Sequence, residues 1–225
     1  MLGKAVLLER HFSANQEESM RITVEGVNEG QPIPGPFAFA VPDPKEHMSL
    51  SDNRNPKVVW DGVPEGTRGF ALLVVDPDAP TDASDVNQDG KTVPADLPRA
   101  DFYHWVLVDI PADVRQIDEG EDADGVVPRG KEIGQTAKGI RGANDYTDFL
   151  AGDPDMKGVY GGYDGPCPPW NDERLHHYTF TVYALDVTSL GLSGEIRGPQ
   201  VVEAMQGHIL DQASVTGTYT LNPNV

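Results

Sequence analysis

Two histidines sit in strand-like stretches far apart in this chain: His104 in FYHWVLVDI (102–110) and His176 in HHYTFTVYAL (176–185). Tyr178 follows His176 at a two-residue step, and side chains repeat every second residue along a strand, so the two share a face. Asp76 closes a third apolar run, GFALLVVD (69–76), and opens DPDAP (76–80). Two imidazoles, a phenol and a carboxylate at strand ends would line one concavity with hydrogen-bonding groups. A neutral imidazole offers one N–H and a protonated one offers two. Such a set suits a phosphate, sulfate or carboxylate group. Each member also has a plainer reading, since a lone histidine in an apolar strand is more often a hydrogen-bonded core residue. DPDAP alone reads equally as a proline-shaped turn with solvated aspartates.

Just ahead of His176 runs GYDGPCPPW (162–170). Proline fixes its own φ and donates no N–H, so Pro166, Pro168 and Pro169 would form a rigid wall. Glycines such as Gly165 would let backbone come close to a ligand. The same loop holds Cys167, and a thiol assisted by His176 is one enzymatic reading. Asp164, Asp172 and Glu173 surround it with negative charge, which raises a thiol pKa and disfavours that chemistry. A hydrolase using Asp76 with His104 or His176 as acid and base is a second. The chain contains no P-loop, no HExxH, no Gly-x-Ser-x-Gly elbow and no zinc-type cysteine spacing. On balance a binding protein is the expectation, with the hydrolase as the alternative.

Composition narrows the partners. The net charge of −19 leaves no excess of Lys and Arg to neutralise nucleic-acid phosphates or to dock on anionic lipid. With Cys167 as its one cysteine the chain makes no internal disulfide, which suits a reducing compartment. The stretch MLGKAVLLERHF is too short in its apolar part for a secretory signal, and no apolar run approaches the ~20 residues that span a bilayer. A soluble cytoplasmic protein is expected.

The elements that must position these residues are mostly strands. GFALLVVD and FYHWVLVDI read as buried strands. Alternation in the second places Phe102, His104, Val106 and Val108 on one face and Tyr103, Trp105 and Leu107 on the other. HHYTFTVYAL puts His176, Tyr178, Phe180, Val182 and Ala184 on one face and His177 opposite. KVVWDGV (57–63), ITVEGV (22–27) and SVTGTYTL (214–221) are weaker strand candidates. One helix is expected over 200–213 after Pro199, with Val201, Ala204, Met205, His208 and Ile209 as a buried stripe. His208 is read as a packing residue of that stripe. The 24 Gly and 19 Pro break the remainder into long loops, notably 81–101 and about 117–170. No repeat or linker divides the chain, which reads as a single β-rich domain, residues 1–225, with an inserted acidic loop at about 81–101.

That insertion contains DVNQDGKTVPAD (85–96), in which Asp85, Asn87, Asp89, Gly90 and Asp96 fall at positions 1, 3, 5, 6 and 12 of a calcium-loop pattern, with the Lys91 carbonyl as a further oxygen. Pro94 interrupts it, position 12 lacks the longer Glu, and no helices flank it. Both a calcium loop and a metal-free acidic loop are open on the sequence.

Taken in order, DPDAP, His104 followed by an aromatic residue, GYDGPCPP and LHHYTFTVYALD resemble the phosphatidylethanolamine-binding protein family, also called the Raf kinase inhibitor family, in its bacterial and archaeal branch. NPKVVWDGVPEGTRGF (55–70) and the helix ending GHIL before TGTYTL fit as well, so the resemblance runs from about residue 50 to 220. It implies a β-sandwich-like domain around a large antiparallel sheet with peripheral helices, and no required cofactor. It implies an anion pocket formed by Asp76, His104, Gly165, Pro168, Pro169, His176 and Tyr178, which would take small anions or phosphate-bearing headgroups. It further suggests modulation of a partner protein such as a kinase or protease, and a regulator with an unused pocket is a third reading. A cis bond before Pro80 is expected on the same ground. His177 departs from the family, standing where relatives carry arginine.

Overall fold

The structure, a computed structural model, describes residues 19–225; the MLGKAVLLERHF stretch and its reading lie outside them. Apolar alternation sets the architecture. Three long runs pair antiparallel at its centre: β5 (Gly69–Pro80), β6 (Arg99–Pro111) and β10 (His176–Leu185). With β8 (Gly134–Thr136), β9 (Gly139–Arg141) and β11 (Ile209–Tyr219) they form a six-stranded sheet in the order β11-β10-β5-β6-β9-β8. A smaller sheet joins β1 (Arg21–Val24), β4 (Val58–Asp61) and β7 (Gln116–Ile117), and β2 (Ala40–Asp43) pairs with β3 (His47–Leu50) in a separate hairpin.

Both faces of the large sheet are covered. Phe70, Leu72, Val74, Trp105, Leu107, Phe180 and Val182 bury against Val24, Val58, Trp60 and Ile117 of the small sheet. This is the two-layer, sandwich-like packing that apolar sheet faces demand. On the outer face Ala71, Leu73, Val106 and Val108 pack with Val201 and Met205 of helix α2 (Gly198–Ala204). A one-turn helix, α1 (Tyr146–Phe149), lies in the long connection between β9 and β10.

Five expectations change. The segment DPDAP does not leave the sheet: β5 continues through it, with Ala79 opposite Ala100 and Pro80 opposite Arg99. Extended pairing holds those residues in line, and no cis peptide occurs among the described residues, so the bond before Pro80 is trans. The helix expected over 200–213 ends at Ala204. Gly207 turns the chain with φ +82°, and Ile209 onward joins β11, where an eleven-residue strand paired with β10 outweighs a helical side-chain pattern. Consequently His208 is half exposed and bonds Asp186 at 2.8 Å instead of packing in a core. Finally, an irregularity in the β5–β6 register between Val74 and Val75 shifts the alternation of β6. Trp105 and Leu107 face the small sheet while Tyr103, Val106 and Val108 face α2. His104 thus parts from Val106 and Val108 and meets Tyr178, on the side of the small sheet.

The proline loop is held from behind. Gly165 donates its N–H to Asn53 at 2.8 Å and accepts from the Tyr146 hydroxyl at 2.7 Å. A Cβ there would collide with the Phe37 carbonyl oxygen. Gly165→Ala is therefore expected to destabilise the fold by about 3 kcal/mol, the upper range for overpacking a rigid contact. Denaturant unfolding of the two proteins checks this.

Candidate functional site

The strand ends and the proline loop enclose a cavity of about 90 Å³. Asp76 comes from β5, His104 from β6, His176 and Tyr178 from β10, and Pro168 and Pro169 from the loop. Six of the seven residues expected to bind a ligand therefore meet at one place. Gly165 does not line it; it lies one layer behind, as the anchor of the wall. The cavity's remaining lining is largely apolar, with Ala79 and Pro80 of β5, Asn87 as a polar member, and Phe102, Tyr146, Phe149, Val86 and Ala83, which were not legible in the sequence. Phe149 is half exposed at α1, and its ring meets Phe102 and Tyr146 edge-on.

A chain of charges fixes the polar end. His176 Nδ1 lies 2.7 Å from Asp76 Oδ2, and His176 Nε2 lies 3.1 Å from Asp172 Oδ2. Arg99 grips Asp172 with two nitrogens, at 2.6 and 3.0 Å, while also donating to the carbonyls of Asp78, Pro94 and Leu97. Asp76 Oδ1 in turn accepts the Asp78 N–H at 2.7 Å. His176 and Asp172 are each 1 % exposed, so this Arg–Asp–His–Asp series is buried. Burial alone would lower the pKa of His176, but hydrogen bonds to Asp172 and Asp76 outweigh it and raise the value to about 9. Burial likewise opposes the charge of Asp172, and its bonds from His176 and Arg99 hold it below the usual carboxylate value. His176 is thus an imidazolium at neutral pH with both N–H groups committed to carboxylates. It acts as a countercharge within the wall, where the sequence reading had it donating to a ligand.

His104 is arranged differently. Its Nδ1 lies 2.7 Å from the backbone carbonyl of Asp164. A carbonyl only accepts, so Nδ1 carries the proton and, in the neutral ring, Nε2 keeps a lone pair. Among the described residues Nε2 has no hydrogen-bond partner. Burial lowers the pKa of His104 against the pull of the Asp76 charge and the Asp164 bond, which keeps the ring neutral. Asp164 is itself fully buried, its carboxylate held by Lys131 at 2.8 Å, Asn53 at 2.7 Å and Asn144 at 2.8 Å. The Tyr178 hydroxyl, buried beside both histidine rings, makes no hydrogen bond of good geometry among the described residues, although the Asp76 carboxylate lies near enough to act on it. Burial, and then the Asp76 carboxylate, raise its pKa well above 10, so it remains an O–H donor.

Other residues singled out in the sequence serve the frame. Asp78 points away from the cavity, accepting from His177 Nδ1 at 2.8 Å and from Arg174 at 2.6 Å. His177 accordingly lies outside the cavity. Cys167 does line the cavity, and burial pushes its thiol up to about 12, which removes the thiolate a nucleophile needs. Several oxygens of the calcium-type loop already accept from protein donors. Asp85 pairs with Lys91 at 3.2 Å and Asp89 with His47 at 3.1 Å. Asn87 Oδ1 accepts the Trp170 N–H at 2.9 Å, and the Lys91 carbonyl accepts from Asn171 at 3.1 Å. Among the described residues no cluster of three or more His, Cys, Asp or Glu converges to hold a metal. Asp85, Asn87, Asp89, Lys91 and Asp96 as placed do not fit calcium. The insertion instead clasps the proline loop, with Asn87 and Asn171 bonding each other's neighbourhood reciprocally.

The phosphatidylethanolamine-binding protein family profile matches residues 23–220. The chain belongs to that family. It is 31% identical over 219 residues to a UPF0098 protein of Aquifex aeolicus, covering 97% of this chain and 98% of that one. It is 31% identical over 169 residues to the UPF0098 protein YbhB of Escherichia coli, covering 75% and 83%. The crystal structure of E. coli YbcL, titled a new member of the mammalian family, superposes with a TM-score of 0.64 at 25% identity, covering 90% of this chain and 98% of that chain. A homologue from Chlamydia trachomatis gives 0.59 at 25% identity, covering 90% and 97%. Among the described residues no helix is long and apolar enough to cross a membrane.

The charge series carries a pH signature. His176, raised from 6.5 to about 9, contributes stability that is complete below about 6.5 and lost as pH rises through about 9. Asp172, held low, contributes stability present above the ordinary carboxylate pKa and lost as pH falls below it. Unfolding free energy is expected to fall by on the order of 3 kcal/mol between pH 6.5 and 9.5. In Asp172→Asn that decline should be visibly shallower, and denaturant titrations across the range measure both.

Proposed function

We propose that this protein binds a small anionic group, most simply a phosphoryl group, in the cavity between His104, Tyr178 and the proline wall. The observation that carries the reading is the Tyr178 hydroxyl. A buried O–H with no partner costs free energy unless something enters to accept from it. Its ring packs edge-on against that of His104, with centroids 5.1 Å apart, and His104 Nε2 likewise has no hydrogen-bond partner among the described residues of this largely apolar recess. The recess holds a few water-sized groups, the scale of one headgroup and not of an extended chain. The apolar rim of Phe102, Phe149 and Val86 suits the carbon substituent of such a group.

Hydrolysis is the weaker reading. His176 and Asp76 are bound to each other and to Asp172, and Cys167 is held as a thiol, so no base or nucleophile is left at neutral pH except His104. A cytoplasmic setting and modulation of a partner protein such as a kinase or protease remain parts of the same proposal.

Calorimetric titration with phosphate and with phosphoethanolamine tests it. Wild type should bind, Tyr178→Phe should bind about fivefold or more weakly through loss of one buried hydrogen bond, and phosphoethanolamine should be recovered intact. An equal weak response in wild type, Tyr178→Phe and His104→Ala would mean that the cavity is unused and favour a purely protein-interacting role.

A further inference from the structure

Two polar atoms at the cavity, the Tyr178 hydroxyl and His104 Nε2, make no hydrogen bond among the described residues and have opposite character, and that restricts the ligand beyond "an anion". Tyr178 presents an O–H, which wants an acceptor. His104 presents a lone pair at Nε2, because its proton is fixed on Nδ1 by the Asp164 carbonyl. The Asp164 carbonyl is itself positioned by three bonds to its side chain, from Lys131, Asn53 and Asn144, and its N–H returns to the His104 carbonyl at 3.0 Å. The ring therefore cannot exchange tautomers without breaking a buried bond. Among the described residues no uncommitted cation lines the cavity, since His176 is spent on Asp76 and Asp172, and Arg99 behind it on Asp172.

Resting on the phosphoryl-binding reading above, we infer that the site selects a ligand head carrying an acidic O–H next to an acceptor oxygen: a phosphomonoester in its monoanionic form, in preference to a phosphodiester. The monoester donates P–O–H to His104 Nε2 and accepts from Tyr178 with an adjacent oxygen. A diester accepts from Tyr178 but has nothing to give His104. It must either leave a buried lone pair unsatisfied or draw a proton onto the ring. The groups that face His104 decide the cost of that proton: Asp76 of β5 attracts it, His176 of β10 repels it, and Tyr178 of β10 and Tyr146 of α1 are neutral rings packed edge-on. Asp164 attracts it as well, through its charge and through the carbonyl that accepts from Nδ1–H. Burial prevails over these and keeps His104 neutral.

The test uses the full chain with methyl phosphate and dimethyl phosphate as probes, by calorimetry at pH 6 and pH 7.5. At pH 6 methyl phosphate should bind at least about tenfold more tightly, the effect of one buried unsatisfied group. Near pH 7.5, where the monoester is mostly dianion because its second pKa is about 6, its binding should take up close to one proton, read from buffers of different ionisation enthalpy. Alanine at position 104, His104→Ala, should remove the preference. Should that variant not fold, the wild-type ratio and proton count stand alone. Equal affinity for the two probes overturns the selectivity and leaves phosphoryl binding intact. Tight methyl phosphate binding without proton uptake at pH 7.5 also overturns it. No binding of either probe overturns both this inference and the phosphoryl reading beneath it.

Discussion

Everything at this site depends on the buried series Arg99–Asp172–His176–Asp76. Isolated, any one of these charges would be costly away from water. Joined, each carboxylate is bonded to cations or N–H groups, and His176 is held at both nitrogens. The series links the end of the 81–98 insertion, through Arg99, to the segment before β10 and then to the rim of β5. Opposite charges alternate along it, so they largely cancel within this part of the wall.

What the cavity offers instead is hydrogen-bond polarity. With His176 withdrawn into the wall, the Tyr178 hydroxyl and the His104 lone pair make no hydrogen bond among the described residues and lie among aromatic and proline carbons. The proline wall is held by bonds from other elements: Gly165 is pinned by Asn53 and Tyr146, and Trp170 and Asn171 by the insertion. The Trp170 ring also stacks on His47 of the β2–β3 hairpin at 3.9 Å. Rigidity on this scale preorganises a small recess and lowers the ordering cost of binding.

The frame was legible because period-two alternation is a strong signal in β5 and β10, and because DPDAP, the His104 strand, the proline loop and the His176 strand occur in a recognisable order. Where reading failed, longer-range physics decided. The one-residue register irregularity that brings His104 to Tyr178 leaves no mark in FYHWVLV. The helical pattern of 200–213 lost to pairing with β10. Asp172 and Arg99 carry no motif that pairs them, since nothing local says that a carboxylate 73 residues after an arginine will receive both its nitrogens. Calcium-type spacing in 85–96 was real as spacing, but Asn171, Trp170, Lys91 and His47 reach its oxygens first. Phe102, Tyr146 and Phe149 carry no motif, and tertiary packing alone makes them a rim.

Nitrogen-15 spectra of the two imidazole rings, followed from pH 6 to 10, test the account most directly. The account predicts that His104 stays neutral at pH 7 with its proton on Nδ1, while His176 shows both nitrogens protonated until near pH 9. A His176 that loses its proton close to 6.5, or a His104 protonated on Nε2, would contradict it.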